Sequence, residues 1–139
     1  MHHGLGPLQT HIDDPDISEI MVVCGKQVWV EDAIGLRRVG TLTDSEMAIS
    51  LERIARASGR RLDLLSPILD ARLSDGSRAC VVISPIAVGG ATISIRKFSR
   101  RILPLASFGP TACTDIVRDL VQQNINVVVA GATSSGKTS

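Results

Sequence analysis

The last nine residues of the chain have the residue types and spacing of a phosphate-binding loop. Gly131, Gly136, Lys137 and Thr138 match the pattern of glycine, four residues, then Gly-Lys-Ser/Thr. In such a loop the backbone N–H groups surround phosphate oxygens, the lysine reaches the β- and γ-phosphates, and the hydroxyl binds Mg²⁺. We therefore predict ATP and Mg²⁺ as cofactors, with Thr138 as the metal ligand. The predicted loop consists of Gly131, Ala132, Thr133, Ser134, Ser135, Gly136, Lys137, Thr138 and Ser139.

The residues before this loop predict the elements that position it. Pro110 to Asn124 carries an apolar stripe at helical spacing, and Ile125 to Val129 is a β-branched run typical of a strand. Helix, strand and P-loop in this order are typical of the start of a parallel α/β domain. The alternative to a P-loop is a flexible Gly/Ser-rich tail.

No residue follows Ser139, so two parts of a working P-loop site are absent from the sequence. One is the helix whose N-terminus helps to bind phosphate. The other is the acidic Mg²⁺ ligand of a later strand. We therefore expect the 139-residue chain alone to contain no catalytic residue, to bind nucleotide weakly and to hydrolyse none.

Composition limits the class of protein. The net charge of +1 argues neither for nor against a nucleic-acid partner, and none is predicted. Residues 1–50 hold three basic and eight acidic side chains, whereas residues 51–139 hold twelve and six. Cys24, Cys80 and Cys113 lack metal-ligand spacing and are predicted to be reduced, partly buried thiols of a cytosolic protein. No apolar run approaches the roughly 18 residues of a membrane helix.

Alternation and turn residues predict an α+β domain before the loop. A short helical segment is expected up to Ile12. The clearest helix begins after Thr43, which forms a capping box with Glu46, and ends at Gly59. The predicted strands are Ile17–Val23, Gln27–Glu31, Leu36–Val39, Leu69–Leu73, Ser77–Ser84 and Ala91–Phe98.

The hairpin around Ser74-Asp75-Gly76 decides where Arg72 and Arg78 point. A two-residue loop would put the two arginines on opposite faces of the sheet. A three-residue loop with Gly76 in the left-handed position would put Arg72 directly opposite Arg78. We predict the second arrangement, because glycine stands third, where a positive φ is required. Such a like-charged pair is unfavourable unless an anion lies between the two side chains.

Four blocks before the P-loop carry a resemblance to a known family. They are residues 4–8 (GLGPL), 17–22 (ISEIMV), 70–78 (DARLSDGSR) and 93–98 (ISIRKF). In this order they resemble the type II/type IV secretion ATPase superfamily, most closely its tight-adherence (Flp pilus) assembly branch. The similarity extends over almost the whole chain. Ser74 departs from the family pattern, which usually has proline there, and the helices common upstream in this branch are lacking.

The resemblance implies a PAS-like N-terminal α+β domain with an antiparallel sheet (1–98), a linker (99–109) and the truncated start of a RecA-like P-loop ATPase domain (110–139). It also implies a homo-hexamer that drives protein export or pilus assembly. Such a hexamer is cytoplasmic, lies peripherally at the inner membrane and contacts secretion platform proteins there. By the same resemblance, Arg72, Arg78 and Arg96 are expected to bind nucleotide phosphates.

Two other functions stay open at this point. One is a non-catalytic assembly module that contributes only subunit contacts. The other is a different P-loop enzyme, such as a kinase, with an unrelated front domain.

Overall fold

The computed structural model describes residues 4–98 and 104–131. The chain divides into two compact units, Met1–Phe98 and Ser99–Ser139. The first unit contains one six-stranded sheet, in which each strand runs antiparallel to its neighbours in the order β3-β2-β1-β6-β5-β4. The predicted α+β class is confirmed. The strands are β1 (Glu19–Val23), β2 (Gln27–Asp32), β3 (Gly35–Thr41), β4 (Ile68–Arg72), β5 (Arg78–Val82) and β6 (Thr92–Arg96).

Three α-helices and two short 3₁₀ helices complete the described residues. In the first unit a 3₁₀ helix, Gly6–Leu8, leads into α1 (Gln9–Asp13), and α2 (Asp44–Ser58) lies between β3 and β4. The second unit contains a 3₁₀ helix, Leu105–Phe108, and α3 (Thr111–Gln122). The predicted helices up to Ile12 and after Thr43 are both confirmed, as is the helix within 110–124.

The two faces of the sheet have different environments. Strand residues that alternate with the exposed ones, such as Ile20, Val81 and Ile95, are fully buried. They form one cluster with Leu8 and with Ile54 of α2, so the helices cover this face. The residues of the other face are half-buried or exposed. We call this second surface the open face.

Helix α2 begins and ends as predicted. The Thr43 hydroxyl accepts a hydrogen bond from the Glu46 N–H at 3.2 Å, and the Glu46 carboxylate accepts one from the Thr43 N–H at 2.8 Å. The hydrogen bond from the Thr43 N–H is the main cause that lowers the pKa of Glu46, and the hydrogen bond from the Thr43 hydroxyl is the second. The capping box is therefore complete above pH 4.5, the ordinary pKa, and weakens as the pH falls through the lowered value. Gly59 ends the helix with φ of 64°.

The hairpin between β4 and β5 has the predicted three-residue loop. The Leu73 N–H donates to the Ser77 carbonyl at 2.7 Å, and the Gly76 N–H donates to the Leu73 carbonyl at 2.9 Å. Gly76 has φ of +90°. The Asp75 carboxylate accepts hydrogen bonds from the N–H and the hydroxyl of Ser77 at 2.9 and 2.8 Å, which closes the turn. Arg72 consequently lies opposite Arg78.

The predicted strand Ile125–Val129 is wrong, because the structure forms no strand over these residues. Their side chains are exposed where a buried strand would hide them; Val128, for example, is 91% exposed. A β-branched run favours a strand only when neighbouring strands supply hydrogen bonds and packing. Among the described residues, none supplies such a neighbour.

The prediction of partly buried cysteines is also wrong. Cys24, Cys80 and Cys113 are all exposed. Cys80 lies on the open face, paired in the sheet with Asp70 and Ser94. Cys24 lies in the turn between β1 and β2 with a positive φ of 53°. A cysteine is usually buried, but the sequence does not show that the helices cover only one face of the sheet.

We predict that residues 1–98 fold without the rest of the chain. All the residues of the buried cluster lie between Leu5 and Ile95, so the first unit has its own core. Deletion of residues 110–139 should leave one cooperative thermal transition, measured by circular dichroism. A broad, non-cooperative melt of the shortened chain would contradict this prediction.

Candidate functional site

Three predicted site residues form a row across the sheet. Arg72 of β4 pairs with Arg78 of β5, and Arg78 pairs on its other side with Arg96 of β6. Directly paired residues of antiparallel strands have Cα atoms about 4.5–5.5 Å apart and side chains on the same face. The row therefore places three arginine side chains on neighbouring strands of the open face. We call these three residues the arginine row.

The arginine row is poorly neutralised by the residues around it. All three side chains are exposed. Arg78 has one acidic partner, Asp70, with 3.6 Å between Nη2 and Oδ2. Within 4–98 and 104–131, no carboxylate lies within 4.0 Å of a side-chain nitrogen of Arg72 or Arg96. The row can therefore accept an anion, and arginine suits phosphate because its planar fork donates two parallel hydrogen bonds.

The charge changes sign further along the same row. Arg96 pairs with Glu19 of β1, and Glu19 pairs with Glu31 of β2. The Glu19 carboxylate accepts a hydrogen bond from the Ser94 hydroxyl at 2.9 Å. This bond directs the carboxylate toward Ser94. One part of the open face is therefore cationic and the adjacent part is anionic.

Sequence reasoning missed two acidic residues next to the arginine row. Asp70 is diagonal to Arg78 across the hairpin. The predicted pairing of Arg72 with Arg78 implies this position of Asp70. Glu19 is different, because 75 residues separate it from Ser94, and nothing local indicates that β1 pairs with β6. Only the complete sheet order brings Glu19 next to Arg96.

The predicted P-loop falls almost entirely outside the described residues. Gly131 is described, whereas residues 132–139, including Lys137 and the predicted Mg²⁺ ligand Thr138, are not. Across the part of the chain that the structure covers, no three His, Cys, Asp or Glu side chains form a group that could hold a metal ion.

Comparison with known proteins identifies the family. The family model described as "Type II/IV secretion system protein" matches residues 1–139. The chain belongs to this family. The predicted superfamily is thereby confirmed. One similar structure is the crystal structure of the VirB11 ATPase from the Brucella suis type IV secretion system in complex with sulphate. It has 27% sequence identity and a TM-score of 0.58, and the match covers 95% of this chain and 48% of that chain.

Two curated relatives come from other bacteria. The type IV secretion system protein PtlH of Bordetella pertussis is 31% identical, over 96% of this chain and 48% of PtlH. The conjugal transfer protein TrbB of Rhizobium radiobacter is 26% identical, over 91% of this chain and 41% of TrbB. The chain thus spans less than half the length of these relatives. None of the helices in the described residues has the length and apolar character needed to cross a bilayer.

Proposed function

We propose that this chain is the N-terminal part of a secretion ATPase that couples ATP binding and hydrolysis to protein export or pilus assembly. The observation that carries the proposal is the arginine row, Arg72, Arg78 and Arg96, on three adjacent strands. Membership of the type II/IV secretion system family supports it. The blocks quoted from the sequence favour the tight-adherence (Flp pilus) assembly branch.

The arginine row makes chemical sense if nucleotide phosphates bind to it. Like charges paired directly across strands destabilise a sheet by about 0.2–1 kcal/mol per pair. The row contains two such pairs, Arg72–Arg78 and Arg78–Arg96. A polyphosphate removes this repulsion and gains charge-assisted hydrogen bonds, each stronger than a neutral one. The row is therefore the part of the first unit that we assign to the ATP phosphates.

The P-loop is a separate set of residues that we also propose to bind ATP. Residues Gly131 to Ser139 would hold the β- and γ-phosphates, with Lys137 as the cationic contact and Thr138 as the Mg²⁺ ligand. Bound ATP supplies the phosphoanhydride bond whose hydrolysis drives the transport work. The chain's own groups bind and orient the phosphates.

The proposed domain plan follows the resemblance to the secretion ATPases. Residues 1–98 form the PAS-like N-terminal domain, 99–109 a linker, and 110–139 the first part of a RecA-like domain. We propose a homo-hexamer in the cytoplasm, peripheral at the inner membrane, in contact with secretion platform proteins. PtlH, which is named as a type IV secretion system protein, supports a role of this kind.

The 139-residue chain by itself is proposed to be inactive as an ATPase. The predicted loop is followed by no helix in these 139 residues, and they contain no acidic residue after Lys137. Phosphate binding at a P-loop depends on that helix, and catalysis depends on the Mg²⁺ held by an acidic strand residue.

Phosphate release by the full-length protein tests the proposal against its two alternatives. We expect release of inorganic phosphate that needs both ATP and Mg²⁺, and a coding sequence that continues past Ser139 into an acidic Walker B strand. Phosphate transfer to an acceptor other than water would favour a kinase. A stop codon directly after Ser139 would favour a non-catalytic assembly module. Either of these results would contradict the proposed ATPase.

A further inference from the structure

An exposed aromatic side chain lies at the end of the sheet that carries the arginine row. Phe98 is 62% exposed, although phenylalanine is among the residues that are most often buried. The sequence contains one tryptophan, two phenylalanines and no tyrosine, so aromatic rings are scarce in this chain. One exposed apolar side chain is ordinary by itself. What distinguishes Phe98 is its position beside the arginines.

Phe98 lies on the open face of the sheet. Beyond β6 the Lys97 N–H donates to the Ser18 carbonyl at 2.9 Å, and the Phe98 N–H donates to the Ser77 hydroxyl at 3.4 Å. Side chains alternate between the two faces along an extended chain. The burial pattern agrees, since Lys97 is half-buried between two exposed neighbours. Phe98, two residues after Arg96, therefore follows it on the open face.

Gly76 leaves the space in which the phenyl ring begins. A β-carbon at Gly76 would lie 3.4 Å from Cβ and Cγ of Phe98 and 3.7 Å from Cδ1. Phe98 thus packs beside the backbone of the hairpin loop that aligns Arg72 with Arg78. The same loop consequently positions the arginines and the ring.

The ring is within reach of a ligand bound to the arginine row. Residues two apart on an extended chain are separated by about 7 Å, which places the backbone of Phe98 close to that of Arg96. Arg78 pairs with Arg96, so Phe98 is diagonal to Arg78. Diagonal neighbours are about 7–8 Å apart, a distance that aromatic and long side chains span. A molecule held by these two arginines can therefore also contact the ring.

We propose that Phe98 stacks on the base of the nucleotide whose phosphates bind to the arginine row. Every nucleobase has a π face, on which an aromatic side chain stacks without needing a particular base. A nucleoside triphosphate has both parts that this surface matches, an anionic polyphosphate and a flat aromatic ring. Inorganic polyphosphate has only the first. The inference adds a base-stacking subsite to the proposed ATP site and rests on that proposed function.

Trp29, the other aromatic residue of the open face, fits the base less well. It lies on β2, and β1 separates that strand from β6. Glu19 and Glu31 occupy the next positions of the row beyond Arg96, where their carboxylates repel phosphate. By contrast, residues 76–98, which include Phe98 and two of the three arginines, contain no acidic side chain.

Steady-state kinetics of the full-length protein test the inference with two ligands. ATP is the substrate, and inorganic tripolyphosphate, which has three phosphates and no nucleoside, is the competing inhibitor. Phe98→Leu keeps an apolar side chain beside Gly76 but removes the π face. It should raise the KM for ATP by about tenfold, a loss typical of one stacked base, and leave kcat and the inhibition constant of tripolyphosphate unchanged. Phe98→Trp supplies a new π face and should restore the KM.

Two further variants are the controls. Arg78→Ala should weaken both ligands, since both carry phosphates. Trp29→Leu makes the same kind of change as Phe98→Leu at the other aromatic position and should weaken neither ligand. An unchanged KM in Phe98→Leu, or an equal rise in Trp29→Leu, would overturn the inference.

Tripolyphosphate separates base stacking from a supporting role of the ring. If Phe98→Leu weakens tripolyphosphate as much as ATP, Phe98 only orients the arginines and the inference is wrong. If Arg78→Ala weakens both ligands while Phe98→Leu weakens neither, the inference fails and the proposed ATP site stands. A full-length protein that hydrolyses no ATP would instead contradict the proposed function itself.

Discussion

Replacement of Arg72 by alanine in the full-length protein should weaken ATP use by about ten- to one-hundredfold. Alanine at Arg78 or Arg96 should have an effect of the same order. Each substitution removes charge-assisted hydrogen bonds to phosphate, worth about 1.5–3 kcal/mol when the site excludes water. The measurement is the steady-state rate of phosphate release as a function of ATP concentration, for each variant and the wild-type protein.

The same substitutions should change stability very little. Arg72 has no acidic partner within the described residues, and its removal relieves repulsion with Arg78. Arg78 loses only its ion pair with Asp70, whose two side chains are 68% and 60% exposed. Exposed pairs of this kind contribute at most about 1 kcal/mol. Urea denaturation should therefore give nearly unchanged midpoints for all three variants.

Two further variants make the comparison specific. Arg38 is an exposed arginine of the open face, paired with Trp29 at the far side of the sheet, so Arg38→Ala should leave ATP use unchanged. Arg72→Lys keeps the charge but loses the planar fork, and we expect an intermediate rate. An equal loss of activity in Arg38→Ala would show that only the overall charge matters. Unchanged activity in all three alanine variants would remove the arginine row from the site.

Loop chemistry made one of the two pairs in the arginine row predictable. Asp75-Gly76 fixes a hairpin, and glycine in third place selects the loop with a positive φ, from which the Arg72–Arg78 pair follows. These relations depend on residues within seven positions of one another. The capping box of α2 was predictable for the same reason, because Thr43 and Glu46 stand three residues apart.

Long-range pairing was not predictable in this way. Arg96 lies beside Arg78 because β6 returns to β5 after a loop whose residues 83–91 carry no register signal. The sheet order then places β1 next to β6, although their paired residues are 71 to 77 positions apart in the sequence. The run Ile125–Val129 shows the converse, since its local preference for a strand does not indicate whether any neighbouring strand pairs with it. Local chemistry sets turns and caps, whereas burial and neighbours decide strands.

Gly76→Val should destabilise the first unit by about 1–3 kcal/mol, because a β-branched residue pays this cost in a left-handed backbone conformation. Gly76 has φ of +90°, and a β-carbon placed there would lie 3.4 Å from Cβ and Cγ of Phe98. The β-carbon itself would be in ordinary van der Waals contact, so any crowding of Phe98 comes from the two further methyl groups of valine. The free energy of unfolding of the 139-residue chain, measured in urea, checks the expected loss.

Two other glycines separate the causes of this loss. Gly35 also has a positive φ, +128°, but no atom lies within 4 Å of a β-carbon at that position, so Gly35→Val should show the backbone strain alone. Gly40, in β3, is equally open without a positive φ, and Gly40→Val should be close to neutral. The expected order of destabilisation is therefore Gly76→Val, then Gly35→Val, then Gly40→Val.

The same substitution also tests how the hairpin controls the site. A loop that escapes the strain by changing to two residues would shift β5 by one position against β4, which turns Arg78 away from Arg72. In the full-length protein, Gly76→Val should then weaken ATP use about as much as Arg78→Ala, even at temperatures where the variant is fully folded. A Gly76→Val protein as stable as Gly40→Val and fully active would show that the hairpin does not need glycine to align the arginines.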